Sequence, residues 1–290
     1  MTGRWFAVIA AALLLAVGAH GQVSSQHADD IISSPIDIGG RNLFLRCIGS
    51  GSPTIILEAG YGDDGTMWAP VQLRVSTFTR VCSYDRANLA RSDDAPVPRT
   101  AQQVVDDLHA LLTKADVKPP YVLVGHSYGA LYIRLYASEH PNDIAGLVFV
   151  DGWHEDYDAD LQNIVAPKLW TQWQKLLAED PDYEVIDLSK SYDEIRHAAP
   201  LPKVPLLVIS HGLKPDPSCC PSGWPVDKQE ALWQRLQDRL ASLEPDSRHI
   251  VDAKSGHDIH QADPVFVVNG INEVVDAVRD PSCWDQQESG

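Results

Sequence analysis

Gly125-His126-Ser127-Tyr128-Gly129 sets a serine between two glycines at two-residue spacing. The apolar run 121–124 stands immediately before it, and 130–140 has helical composition immediately after. A serine on a sharp strand-to-helix turn is a nucleophile elbow. Gly125 and Gly129 let the neighbouring chain pass without a Cβ clash, and the turn lifts the Ser127 hydroxyl to a helix N-terminus, where partial positive charge favours an oxyanion. A serine attacks only with a base beside it, and the base needs an orienting acid. His257, in Ser255-Gly256-His257-Asp258-Ile259-His260, lies in a loop after the last strand signal and is the candidate base, with His260 as competitor. Asp151 closes the run Ile144–Val150, and Asp216 follows the run 206–210 through a proline-broken loop. Both sit beyond the carboxyl end of a strand, where a parallel sheet delivers side chains. Asp151 is nearer its strand and better held, so it is the first choice and Asp216 the alternative. Acyl transfer also needs two donors for an oxyanion. The backbone N–H of Tyr128 and that of Tyr61, in Ala59-Gly60-Tyr61-Gly62, are the candidates.

The elements that must hold these residues alternate. Strand signals fall at 43–48, Thr54–Glu58, Val81–Tyr84, 121–124, Ile144–Val150, 206–210 and 249–251. Helical spacing falls at 101–115, 130–140, along Trp233, Leu236, Leu240 and Leu243, and over Pro264–Arg279. Such alternation predicts an α/β layer fold with a mostly parallel sheet. Residues 152–203 break the pattern. They carry Trp153, Trp170 and Trp173 and no strand signal, and a plain connection is rarely so long. They predict a helical insertion serving as a lid at the mouth of the site.

Composition narrows the function. The chain has 290 residues and is 44% hydrophobic, which is globular material with a sizeable core. Its formal charge of −17 comes without a basic block, which argues against bare nucleic acid and anionic membrane faces as partners; the charge is compatible with a small-molecule substrate but does not itself point to one. Arg4, an apolar run over 5–17 and small residues at 18–21 predict a signal peptide over residues 1–21, hence a secreted or periplasmic protein whose mature domain is 22–290. That run is too short for a stable transmembrane anchor. The five cysteines, Cys47, Cys82, Cys219, Cys220 and Cys283, then become candidates for disulfides, with at least one left out of intrachain pairing. No Cys-x-x-Cys, phosphate loop or metal-ligand spacing occurs, so no metal and no cofactor is expected.

From about Ile36 to Arg279 the chain resembles the α/β-hydrolase superfamily, in its serine-nucleophile, esterase-like branch. The resemblance rests on Leu57-Glu58-Ala59-Gly60 with Trp68 downstream, Tyr84-Asp85-Arg86-Ala87, the Gly-x-Ser-x-Gly, Leu147-Val148-Phe149-Val150-Asp151 and Gly256-His257. It implies hydrolysis through an acyl-enzyme: Ser127 attacks, His257 moves the proton, Asp151 holds the imidazolium. Carboxylic esters of small apolar groups are the first substrate class. Amide, peptide or carbon–carbon bond hydrolysis on the same triad, or a non-catalytic binding protein on the same fold, are the alternatives. Such proteins usually follow Asp-Arg-Ala with a Gly-x-Gly-x-Ser turn, whereas this chain has Asn88-Leu89-Ala90-Arg91-Ser92. The superfamily's strand order sets the second strand beside the fourth, which implies a Cys47–Cys82 disulfide and leaves Cys283 within reach of Cys219 or Cys220.

Overall fold

The computed structural model describes residues 31–179 and 184–285. The proposed signal segment 1–21 lies outside the described residues. The strands are β1 (Ile32–Asp37), β2 (Asn42–Ile48), β3 (Thr54–Glu58), β4 (Val81–Tyr84), β5 (Tyr121–His126), β6 (Ile144–Val150), β7 (Leu206–His211) and β8 (Arg248–Asp252). They form an eight-stranded sheet in the order β1-β2-β4-β3-β5-β6-β7-β8. β1, β2 and β4 pair antiparallel, and every pairing from β4 through β3 to β8 is parallel. The described helices are α1 (Ala69–Val75), α2 (Ala101–Lys114), α3 (Gly129–Glu139), α4 (Tyr157–Ile164), α5 (Pro167–Glu179), α6 (Leu188–Arg196), α7 (Val226–Ala241), α8 (Ile259–Ala262), α9 (Pro264–Arg279) and α10 (Ser282–Asp285).

Two-residue alternation sorts the central strands onto two cores. Leu123, Leu147 and Phe149 face Val104, Leu108, Ile133 and Tyr136 of α2 and α3. Val122, Val124, Val148 and Val150 face Val71 and Val75 of α1 and Val267, Ile271 and Val274 of α9. Helices on both faces bury every residue of β5, which is why that strand is a continuous apolar run up to Gly125. β1 carries no such run. Its exposure alternates, and Ser33, Ser34 and Pro35 suit an edge strand, so the sequence alone does not announce it.

β2 and β4 are neighbours, with Cys47 opposite Cys82 in register, and the two form a disulfide. It closes a segment with a sequence separation of 35. Replacing both cysteines by alanine is expected to cost about 2–4 kcal/mol of unfolding free energy. Urea denaturation with and without reductant checks this, and identical midpoints would contradict it. The expected link from Cys283 is not made. Cys283 is an exposed free thiol on α10, while Cys220 packs with Tyr157 and Trp224 beyond the other end of the sheet. The Asn88–Ser92 turn keeps left-handed backbone without glycine, with φ of 73° at Asn88 and 44° at Ala90. Asn88 helps hold it by accepting a 2.7 Å hydrogen bond from Ala95 N. The stretch between β6 and β7 folds as α4, α5 and α6.

Candidate active site

Ser127, Asp151 and His257 leave the carboxyl ends of β5, β6 and β8, and the sheet order brings those ends together. Ser127 sits between β5 and α3 with φ 51°, and Asp151 directly after β6 with φ 47°. Left-handed backbone at a residue with a Cβ stores about 1–3 kcal/mol, which the surrounding ties must hold. Ser127 N donates to Val150 O at 3.2 Å, Trp153 N to Ser127 O at 2.9 Å, and Asp151 N to Ile209 O at 2.6 Å. The glycines of the elbow are required by close approach. A Cβ on Gly125 would stand 2.6 Å from Gly129 C, and one on Gly129 would stand 2.5 Å from Glu58 O.

Ser127 Oγ lies 2.9 Å from His257 Nε2, and His257 Nδ1 lies 2.6 Å from Asp151 Oδ2. In that line Nδ1–H donates to the carboxylate and Nε2 is left to accept from the serine hydroxyl. The arrangement can take a proton from Ser127 and hold the resulting imidazolium against an anion. The His257 side chain is 41% exposed, so the line opens to solvent at the imidazole.

Asp216 is not brought to this line. Beyond His211 the chain turns outward through Pro215, and the Asp216 carboxylate caps the turn Pro217–Cys219, accepting from Ser218 N at 2.8 Å. His260 is also apart. It is buried against Trp68 and His126. Its burial pushes its pKa down to about 4, which keeps it neutral. The side-chain rings of Tyr61 and Tyr128 pack with centroids 5.4 Å apart, and Tyr128, the residue after Ser127, is the N-cap residue of α3.

Several side chains at the site were not singled out from the sequence. His126, inside the elbow, donates from Nε2 to His257 O at 3.1 Å and so ties the base loop to β5. Burial holds its pKa well below the usual histidine range, consistent with a neutral ring. Asp151 Oδ1 accepts from Trp233 Nε1 at 2.9 Å and from His211 N at 3.1 Å. Its Oδ2 accepts from His211 Nδ1 at 2.6 Å as well as from His257. Burial alone would raise the Asp151 pKa, but hydrogen bonds from His211 and His257 outweigh it and hold the carboxyl well below the usual range. Arg86 spans the loop after β3. It donates to Ala59 O at 2.8 Å and Gly60 O at 2.6 Å, and pairs with Glu58 and Glu184. Arg86 lies in Tyr84-Asp85-Arg86-Ala87 and Glu184 in the insertion, and nothing in the local sequence links them.

A cavity of about 200 Å³ adjoins His257, walled by Trp153, Tyr157 and Trp233 with His211, Gln229 and Glu230. A larger one, about 430 Å³, lies at the other end of the sheet beside Ala145, Pro205 and Trp284 and touches none of the line. Among the described residues no helix is long and apolar enough to cross a membrane.

The family model for the alpha/beta hydrolase fold matches residues 53–181. Uncharacterized protein YqjL of Bacillus subtilis (strain 168) is 34% identical over 227 residues, covering 78% of this chain and 85% of that protein. The enol-lactonase from Burkholderia xenovorans LB400 superposes with a TM-score of 0.59 at 20% identity, over 83% of this chain and 99% of that one. A thermophilic esterase from Thermogutta terrifontis gives 0.59 at 17% identity, over 85% and 99%. These two solved structures share the fold. The chain belongs to the alpha/beta hydrolase fold family.

Proposed function

We propose that the protein is a serine hydrolase that cleaves carboxylic esters of small apolar groups through an acyl-enzyme. The observation that carries this is the unbroken line from Ser127 Oγ through both nitrogens of His257 to Asp151, at 2.9 and 2.6 Å. Ser127 attacks the ester carbonyl while His257 takes its proton. The backbone N–H groups of Tyr128 and Tyr61 bind the oxyanion. His257 returns the proton to the leaving alcohol, then activates water to release the acid. This mechanism calls for no cofactor. The aromatic cavity beside His257 favours a compact apolar group, and 200 Å³ is below the usual range of about 300–1,000 Å³ for drug-sized ligands. The esterase and enol-lactonase among the structural neighbours support acyl chemistry as a class. The segment 152–203 acts as the lid, since Trp153 and Tyr157 form one wall of that cavity. We place the mature protein, from residue 22, outside the cytoplasm. The Cys47–Cys82 disulfide supports that, because such bonds persist in oxidising compartments.

The test uses a p-nitrophenyl ester series of rising acyl length with residues 22–290 and its Ser127→Ala counterpart, together with labelling by an alkyl fluorophosphonate. Hydrolysis and labelling confined to the wild type, with a preference for short acyl chains, are the expected results. Ester hydrolysis that survives Ser127→Ala would overturn the assignment of the nucleophile. A folded wild type with neither hydrolysis nor labelling would overturn the enzyme reading.

A further inference from the structure

We infer that His211 and Glu230 extend the Ser127–His257–Asp151 line: His211 is a positioning residue that holds Asp151 from behind, and Glu230 supplies the second anion that the site needs once His257 becomes charged. This rests on the serine-hydrolase reading.

His211 ends β7, beside the Asp151 end of β6. Its Nδ1 is 2.6 Å from Asp151 Oδ2 and its Nε2 is 3.1 Å from Glu230 Oε2. Ionised carboxylates only accept hydrogen bonds, and a neutral imidazole has a single N–H. A ring that faces a carboxylate through each nitrogen satisfies both only as an imidazolium. The surroundings agree. Burial opposes the charge, but the hydrogen bonds to Asp151 and Glu230 outweigh it and push the His211 pKa up to about 10. Glu230 is fixed in turn by Gln234, whose Nε2 donates to Glu230 Oε1 at 2.8 Å and to His211 O at 2.9 Å.

Charge counting gives the device its purpose. In the resting site Glu230 and Asp151 are negative, His211 is positive and His257 is neutral, so the group carries one net negative charge. When His257 takes the Ser127 proton, two imidazoliums face two carboxylates, while the negative charge left by the serine passes to the substrate oxyanion. Without Glu230 the two imidazoliums would share Asp151 as their one carboxylate partner. Without His211 the resting site would hold two adjacent anions. Other groups face these rings as well. His126 from β5 and His260 from α8 are buried and neutral beside His257. Asp63, after β3, and Asp258, before α8, lie on the same side. Asp252, the partner of His211 in β8, accepts from Lys254 N, and Lys214 near Glu230 is exposed and paired with Asp227.

The test is the pH dependence of phosphonate inactivation and of kcat/KM for ester hydrolysis in wild type, His211→Gln and Glu230→Gln. Removing the cation eases protonation of the base, so the acidic limb of the His211→Gln profile moves up by about one pH unit. Removing the anion opposes it, because His211 stays charged through Asp151. The Glu230→Gln limb therefore moves down by about one pH unit. A merely structural role lowers the plateau without driving the limbs apart. Limbs that coincide with wild type, or that move in the same direction, would overturn the inference. In the wild type itself, nitrogen NMR should show both His211 ring nitrogens protonated from about pH 6 to about pH 9, and a neutral ring there would overturn it as well. A folded wild type that no phosphonate labels sinks the hydrolase reading and the inference with it. Labelling with unmoved limbs sinks the inference alone.

Discussion

Asp151→Asn is expected to lower kcat for ester hydrolysis by about 10,000-fold while leaving the protein folded. The backbone tolerates the change: φ at position 151 is 47°, and asparagine is among the residues that adopt left-handed geometry most readily. The side chain keeps its size, so the amide oxygen can still accept from His211 or from Trp233. The chemistry does not survive. Asp151 Oδ2 now accepts from His257 Nδ1 at 2.6 Å, which fixes Nε2 as the atom that receives the serine proton. An amide NH₂ turned toward His257 selects the other tautomer, with its proton on Nε2, and the serine loses its base. An amide oxygen turned there keeps the tautomer but gives the imidazolium no anion. Measured kcat at neutral pH, with near-UV circular dichroism as the folding control, checks this. A loss of less than about tenfold would show that another group orients His257. Acid has a related effect on stability. The Asp151 carboxyl is held below its ordinary pKa, so its contribution is complete above the ordinary value near 3.8 and fades as pH falls toward the folded value.

Much of this site is written locally, and the part that is not has a common cause. The elbow is legible because strand, Gly-x-Ser-x-Gly and helix are contiguous, so one stretch of chain carries both motif and context. Asp151 is legible because a buried strand ends on it. The alternative, Asp216, could be weighed from the sequence only by its distance past β7. Its true role depends on Ser218 N, which captures its carboxylate at 2.8 Å. A histidine at a strand end carries no signal of its own, so the sequence does not mark His211. Its meaning comes from Asp151, 60 residues away, and Glu230, 19 residues away. Trp233 read as one residue of a helical stripe, and it is. Only packing shows that its indole N–H reaches Asp151 across a sequence separation of 82. Periodicity reports which face of an element is buried, whereas a polar partner on that face belongs to the tertiary arrangement.

Arg86→Ala is expected to cost about 3–5 kcal/mol of stability and to impair the site at the same time. The guanidinium is 2% exposed and each of its donors is committed. Nε and Nη2 form a bidentate pair with Glu184 at 2.7 Å, Nη1 holds Glu58 at 2.7 Å, and the remaining N–H groups hold the carbonyls of Ala59 and Gly60. Alanine would leave two carboxylates buried without their cation. Burial already pushes the Glu58 pKa up, against Arg86 and the Tyr84 hydroxyl that bring it down, so Glu58 would take up a proton rather than stay charged. The Ala59 and Gly60 carbonyls would lose the anchor that shapes the loop bearing Tyr61. That loop also receives Glu184 from the insertion, which accepts from Gly62 N at 3.3 Å. Arg86 therefore couples the proposed oxyanion donor to the proposed lid. Arg86→Lys separates the two effects. A lysine restores charge for one carboxylate but cannot reproduce the planar fork, so it should recover part of the stability and little of the activity. Urea denaturation and ester kinetics on both variants check this, with KM expected to change less than kcat because the loop binds the oxyanion and not the ground-state ester. Full activity in Arg86→Lys would show that charge alone holds the loop, and an unchanged urea midpoint in Arg86→Ala would show that the buried carboxylates are relieved by water.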